Sequence, residues 1–276
     1  MSELIARAAD AIARADALLV TAGAGMGVDS GLPDFRGDEG FWRAYPPFRS
    51  LGLSFVDLAN PEWFERDPEL AWGFYGHRLN LYRATVPHAG FEVLRRWGEA
   101  RRGGAFVFTS NVDGAFQRAG FDLLRVVECH GAIDFVQCFR GCGLGVASAD
   151  EVTVAVDEVT FRAAPPLPAC RRCGGLLRPN VLMFGDVEWV AERTEAQHRR
   201  FAAWLRGLGD GRLCVVECGA GTAIPTVRRL GDGLLGQGHA LVRVNVREPE
   251  VGRGGVGLPM GAKDALLAID AHLEGA

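Results

Sequence analysis

An apolar run, Ala17 to Val20, opens directly into glycines, and this junction constrains the fold more than any other stretch. It reads as a strand running into a phosphate-binding turn. Gly23, Gly25 and Gly27 lack a Cβ, so the backbone there can turn tightly, admit a pyrophosphate, and aim amide N–H groups and a helix N-terminus at its charge. Taken alone, these glycines fit an ordinary tight turn equally well. The continuation from Ser30 to Gly37, Ser-Gly-Leu-Pro-Asp-Phe-Arg-Gly, then sets a carboxylate, an aromatic ring and a guanidinium beside the turn, and few loops need all three.

Four further short apolar runs rich in β-formers follow: Ala105 to Phe108, Leu124 to Val127, Leu213 to Val216 and Leu241 to Val244. They alternate with helix-like segments, and continuous apolarity is expected of parallel strands covered on both faces. The fold class is therefore α/β, a Rossmann-like doubly wound parallel sheet. Leu4, Ile5, Ala8 and Ile12 recur at helical spacing between charges, so Met1 to Asp16 is an amphipathic helix and not a signal peptide. A second helix is expected from Pro87 through Phe91, Leu94 and Trp97 to Gly103-Gly104. Asp38 to Pro47 reads as an ordered but movable loop over a pocket, and the aromatic stripe from Pro61 to Tyr82 as a short helical module. With 276 residues, 48% of them apolar, the chain can bury one large core plus a smaller appended module.

A net charge of −4 gives no electrostatic reason for a nucleic-acid partner, and no apolar run is long enough to cross a membrane. Seven cysteines without an export signal point away from disulfides, toward metal or catalytic uses and a cytoplasmic location. Cys138 and Cys142, then Cys170 and Cys173, form two knuckle-like pairs with glycines beside them, bracketing a Gly- and Pro-rich stretch. Four converging thiolates make a closed tetrahedral site for structural zinc. Cys129, Cys214 and Cys218 lie in or beside strands and read as small core residues.

Asn111 and Asp113 follow a predicted strand and lie two apart, so in an extended segment an amide and a carboxylate share one face at the sheet's carboxyl edge. His130 ends another strand and precedes a glycine, which leaves its imidazole open to the same crevice. Ser30 to Arg36, Thr109 to Gly120, His130-Gly131 and Arg178 to Asp186 stand in an order that resembles the sirtuins, NAD-consuming protein deacylases, of the bacterial type. The likeness extends from Ala17 to Asn245. Ala22 stands where the family usually has Thr, Gly27 where it has Ser, Ser110 where it has Gln, and Asp186 where it has Glu; the first cysteine pair also carries one extra residue.

The resemblance implies an NAD-dependent protein-lysine deacylase that also binds zinc. It implies His130 as general base, with Asn111 and Asp113 as further catalytic residues. Gly23, Ala24, Gly25, Leu32, Asp34, Phe35, Arg36, Ser110, Gly219, Gly221, Thr222, Asn245 and Val246 would join them in holding NAD. Val181, Met183, Phe184 and Gly185 would flank an extended acyl-lysine peptide. In the family's reaction the acyl oxygen attacks the nicotinamide ribose and the products are nicotinamide, lysine and O-acyl-ADP-ribose. Tyr75 and Arg78, three apart on one helical face, match a Tyr-x-x-Arg pattern of sirtuins that prefer acidic acyl groups, although a core tyrosine beside a surface arginine would look the same. An ADP-ribosyltransferase or NAD glycohydrolase would use the same site, and a noncatalytic NAD sensor is a third reading. The expected organisation is a discontinuous NAD-binding domain of residues 1–40, 86–135 and 180–276, a cofactor-loop and helical module of 41–85, and a zinc-binding insert of 136–179. The expected partners are acylated lysine-containing proteins or peptides, not nucleic acid or membrane.

Overall fold

The computed structural model describes residues 1–33 and 37–275. The strands among the described residues are β1 (Ala17–Ala22), β2 (Ala105–Thr109), β3 (Val126–Glu128), β4 (Gly131–Cys138), β5 (Val146–Ser148), β6 (Leu177–Val181), β7 (Leu213–Cys218), β8 (Ala240–Val244) and β9 (Val256–Leu258). Six of them form a parallel sheet in the order β3-β2-β1-β7-β8-β9. The chain winds outward from β1 through β2 to β3, then returns to β7 on the other side of β1. The strand order therefore reverses between β1 and β7, which is where an open α/β sheet forms a crevice.

The central strands are buried along their whole length, and their period of two divides one continuous apolar run between two cores. Leu18 and Val20 join Cys214 and Val216 beneath helices Ser2–Ala13, Ala89–Glu99 and Ala262–Glu274, which contribute Ile12, Leu94 and Ile269. On the opposite face Leu19 and Val215 meet Phe201 and Leu234 from helices Glu192–Gly207 and Thr226–Gly236. Cys214 and Cys218 are fully buried core residues, as their strand positions require.

Several local expectations shift. Asp122 accepts the Leu124 amide at 2.9 Å, so Leu123–Arg125 closes as a short 3-10 turn and β3 begins only at Val126. His88 caps the next helix by accepting Gly90 N–H at 3.0 Å, so that helix starts at Ala89 and Pro87 precedes it. The segment expected to be a movable loop contains helices Gly37–Ala44 and Pro46–Ser50. Phe41, Tyr45 and Phe48 are wholly buried there and pack their rings against Phe74. Strand β9, short and framed by glycines, had no signal strong enough to anticipate it.

A second, antiparallel sheet runs β5-β4-β6. It shares an aromatic-rich core with helix Pro68–Ala84, whose Trp72 indole donates to Leu177 O at 2.8 Å. The valine-rich stretch 152–159 makes only an isolated bridge between Val156 and Ala163, but it is tied to the same helix by Asn80 Nδ2, which donates to Val154 O at 2.9 Å. Among the described residues no helix is long and apolar enough to cross a membrane.

Candidate active site

Strand register brings the sequence motifs to one edge. Ala22 lies opposite both Thr109 and Cys218, Thr109 opposite Glu128, and Cys218 opposite Val244. The turns that follow these strands, carrying Gly23 to Gly25, Ser110 to Asp113, His130, Gly219 to Thr222, and Asn245 with Val246, therefore emerge side by side at the carboxyl edge, around the point where strand order reverses.

Hydrogen bonds stitch each turn to its neighbour. Gly23 N–H donates to Cys218 O and Gly25 N–H to Gly219 O, both at 3.0 Å, while Gly219 N–H donates to Val244 O at 2.9 Å. Ser110 N–H donates to Ala22 O at 3.0 Å. The close approach that these glycines permit is thus first of all to each other. A Cβ on Gly25 would lie 2.7 Å from Gly219 Cα, and Gly219 adopts a φ of +64°, which a side chain would strain. Asn111 Nδ2 donates to Gly23 O at 3.0 Å and Asn245 Nδ2 to Ala220 O at 2.8 Å. Asn245 Oδ1 also accepts the Arg247 and Glu248 amides, so both asparagines hold the shape of the edge.

Asp113 is buried and its carboxylate accepts Ala115 N–H at 2.9 Å. Burial pushes its pKa up, against that hydrogen bond and the nearby Arg118 guanidinium. His130 is half-buried at the junction of β3 and β4, and burial lowers its pKa against the opposing Ser110 backbone. The imidazole is therefore neutral near pH 7 and able to accept a proton. Ala24 is exposed, and Leu32 is buried against Gly27. Thr222 is exposed, with its hydroxyl donating to Glu248 at 2.7 Å; Val246 points into solvent. Asp34, Phe35 and Arg36 lie outside the described residues.

Beyond β6 the chain passes close to His130, whose carbonyl accepts Leu182 N–H at 2.9 Å. Val181 and Met183 turn inward, Phe184 is partly exposed, and Gly185 takes a φ of +70°. Tyr75 and Arg78 do share a helix, but neither is a surface residue. Arg78 is 6% exposed, among the rings of Phe55, Phe74, Tyr75 and Tyr82, and its Nε and Nη2 donate to the Tyr82 hydroxyl at 3.0 and 2.8 Å. The Tyr75 hydroxyl is buried with no hydrogen-bond partner among the described residues, and burial drives its pKa up. Phe55 also meets Phe184, with ring centroids 6.4 Å apart, which links this aromatic pocket to the segment beyond β6.

The four paired cysteines converge. Their sulfurs all lie within 4.8 Å of one another, with Cys138 to Cys173 and Cys142 to Cys170 each at 3.6 Å. Tetrahedral zinc with bonds of about 2.3 Å sets its sulfurs roughly 3.8 Å apart, so the cluster fits a closed structural site that leaves no position for a reactive water. Cys129, beside His130, is not part of this cluster; burial raises its thiol pKa to about 12.

One residue that sequence reasoning passed over braces the glycine turn. His88 donates from Nε2 to Met26 O at 3.0 Å, and its backbone N–H donates to Ser30 Oγ at 3.0 Å. Because Nδ1 is already an acceptor for Gly90 N–H, the ring must be neutral with its proton on Nε2, and burial lowers its pKa accordingly. A lone histidine after a proline carries no sequence signal for this. A cleft of about 590 Å³ lined by Arg7, Arg14, Arg212 and His239 lies at the opposite, amino edge of the sheet and contains none of the motif residues.

Residues 23–200 match the family model described as the Sir2 family. The chain is 40% identical over 181 residues to NAD-dependent protein deacylase 2 of Pyrobaculum aerophilum, covering 64% of this chain and 62% of that protein. It is 34% identical over 232 residues to an NAD-dependent protein deacylase of Deinococcus radiodurans, covering 82% and 84%. The match thus spans about three fifths of the length of the first of these curated relatives and most of the second. Among solved structures, a mutant Sir2 homologue in complex with ADP-ribose superposes with a TM-score of 0.74 at 25% identity, covering 97% of this chain and 95% of that one.

Proposed function

The chain belongs to the Sir2 family, and on that premise we propose that it is an NAD-dependent deacylase of protein lysines. The observation that carries this reading is the convergence of Asn111, Asp113 and His130 with two interlocked glycine turns where the parallel sheet reverses its strand order. NAD bound there would supply a ribose carbon that takes the acyl oxygen as nicotinamide leaves, so that the acyl group ends on ADP-ribose when lysine is freed. Gly23, Ala24, Gly25, Gly219, Gly221 and Thr222 form the turns against which the phosphates would lie, with the Gly23, Gly25 and Gly219 amides shaping those turns through their own bonds to neighbouring carbonyls; Asn245 and Val246 face the adenosine ribose, and Leu32, Ser110, Asn111 and Asp113 line the nicotinamide end. Asp34, Phe35 and Arg36, outside the described residues, are assigned to NAD binding by the family resemblance alone.

His130, neutral near pH 7, accepts the proton of a ribose hydroxyl. Val181, Met183, Phe184 and Gly185 flank the extended acyl-lysine peptide, which adds to this segment as a strand. Zinc held by Cys138, Cys142, Cys170 and Cys173 keeps the cysteine lobe folded and takes no part in the reaction. A cytoplasmic setting fits the assignment of four of the seven cysteines to zinc and not to disulfides. Arg78 and the Tyr75 hydroxyl, unbonded among the described residues, favour an acidic acyl chain such as succinyl or malonyl, because only a carboxylate can use both donors.

The test is to incubate the protein with NAD and a panel of acyl-lysine peptides and identify the products by mass. Free lysine peptide, nicotinamide and O-acyl-ADP-ribose are expected. ADP-ribosylated peptide, or free ADP-ribose with the acyl peptide intact, would replace this reading by a transferase or glycohydrolase at the same site.

A further inference from the structure

Arg178 is the second residue of β6 and Asp186 lies eight residues on, yet the two form a bidentate pair, Nη1 to Oδ2 at 2.6 Å and Nη2 to Oδ1 at 2.8 Å. Their side chains are 1% and 0% exposed. Asp186 Oδ2 also accepts Met183 N–H at 3.4 Å, Asp186 N–H donates to Met183 O at 3.3 Å, and Arg178 Nη1 lies 3.8 Å from Met183 Sδ. The pair thus pinches the base of a short excursion of chain. At its rim, Leu182 and Phe184 are 39% and 40% exposed, and their amides are anchored to His130 O and Ala59 O.

Two charges removed this completely from water are a poor way to add stability, since apolar residues of the same volume usually serve as well or better. What a bidentate pair does supply is one fixed geometry. We infer that Arg178 and Asp186 are positioning residues that set the path of residues 181–185, and through it the affinity for the acylated peptide; this rests on the deacylase reading above. Asp186 carries one methylene fewer than glutamate, so the carboxylate can grip both the guanidinium and the Met183 amide only if the chain is drawn in tightly. Neither side chain reaches the glycine turns or Asn245 through any hydrogen bond among the described residues, so the NAD side of the site should be indifferent to the pair.

The experiment compares the full-length wild type with the paired apolar variant Arg178→Met/Asp186→Leu, measuring KM for an acyl-lysine peptide, KM for NAD, and the thermal midpoint. The expected result is a rise in peptide KM of about tenfold or more, with NAD KM within twofold and little change in the midpoint. Asp186→Glu, which keeps the charge on a longer arm, should recover most of the peptide affinity in the background of an intact Arg178. Should the paired variant not fold, Asp186→Asn, neutral and of equal size, is read by the same criterion. Wild-type peptide KM in either folded variant, or equal increases in both KM values, would overturn the inference. A wild type showing no peptide-dependent consumption of NAD would instead sink the deacylase reading itself.

Discussion

The carboxyl edge of the parallel sheet and the four-cysteine lobe are held together by different means. At the edge, each turn is bonded to the turns beside it: Gly23 to Cys218, Gly25 and Asn111 to the opposite glycine turns, Asn245 to Ala220. The bonds are neutral and redundant, and they rest on buried strands. The lobe has the short β5, two isolated bridges and many turns, and its sulfurs lie at metal-binding distances. Where backbone pairing is continuous, no single contact is indispensable; where it is sparse, a metal site adds to what packing against helix Pro68–Ala84 supplies.

The largest effect should therefore come from metal removal. Elemental analysis of protein purified without chelator should find one zinc per chain, and stripping it should expose the amides of β4 to β6 to hydrogen exchange while β1, β2, β7 and β8 stay protected, because the binding energy of a structural zinc is folding energy. Absence of zinc, or equal loss of protection in both sheets, would erase the contrast between the two regions. Next in size is His130→Ala, at the point where they meet: peptide-dependent turnover should fall about a hundredfold to ten-thousandfold with NAD binding retained. Burial holds the His130 pKa below its ordinary value, so the acid limb of wild-type turnover should lie below about pH 6.5, and a limb above that value would contradict the environment described.

Smaller again is the expected effect of Arg78→Met. A hydrogen bond to a charged group contributes about 1.5–3 kcal/mol, so desuccinylation should drop roughly ten- to a hundredfold more than deacetylation. Parallel losses would make Arg78 a packing residue among its four rings. The smallest effects should be single cuts in the stitched edge. Asn245→Ala ought to cost about 1 kcal/mol of stability in denaturant unfolding, and a loss several times larger would show that the edge is not redundant.

Acid should test both regions together. His77, His88, His130 and His198 all have pKa values lowered by burial, so the folded state resists protons that the unfolded chain takes up near pH 6.5. Their contribution to stability is complete above that pH and declines as the pH falls through the lower, folded values. Denaturation midpoints that do not change between pH 7 and pH 5 would argue that these rings are more hydrated than they are here.

Much of this was legible in the residues. Continuous apolar runs ending in Gly, Asn or His specify parallel strands with functional turns, because a strand buried on both faces has no room for polar alternation, and the two cysteine pairs specify a metal lobe by chemistry alone. Other features were hidden because they depend on partners distant in sequence. Phe41, Tyr45 and Phe48 look like loop aromatics until the helix carrying Phe74 meets them, and Arg78 looks like a surface cation until four rings enclose it. His88 acquires its role only from the carbonyl of Met26 and the hydroxyl of Ser30. The sequence by itself determined the central parallel strands, the turns after them and the pairing of the four clustered cysteines, since these follow from local periodicity and side-chain chemistry. Only the tertiary structure decided which turn bonds to which, which charges are buried, and where Arg178 finds Asp186, because those outcomes depend on strand register and on water being excluded by the whole fold.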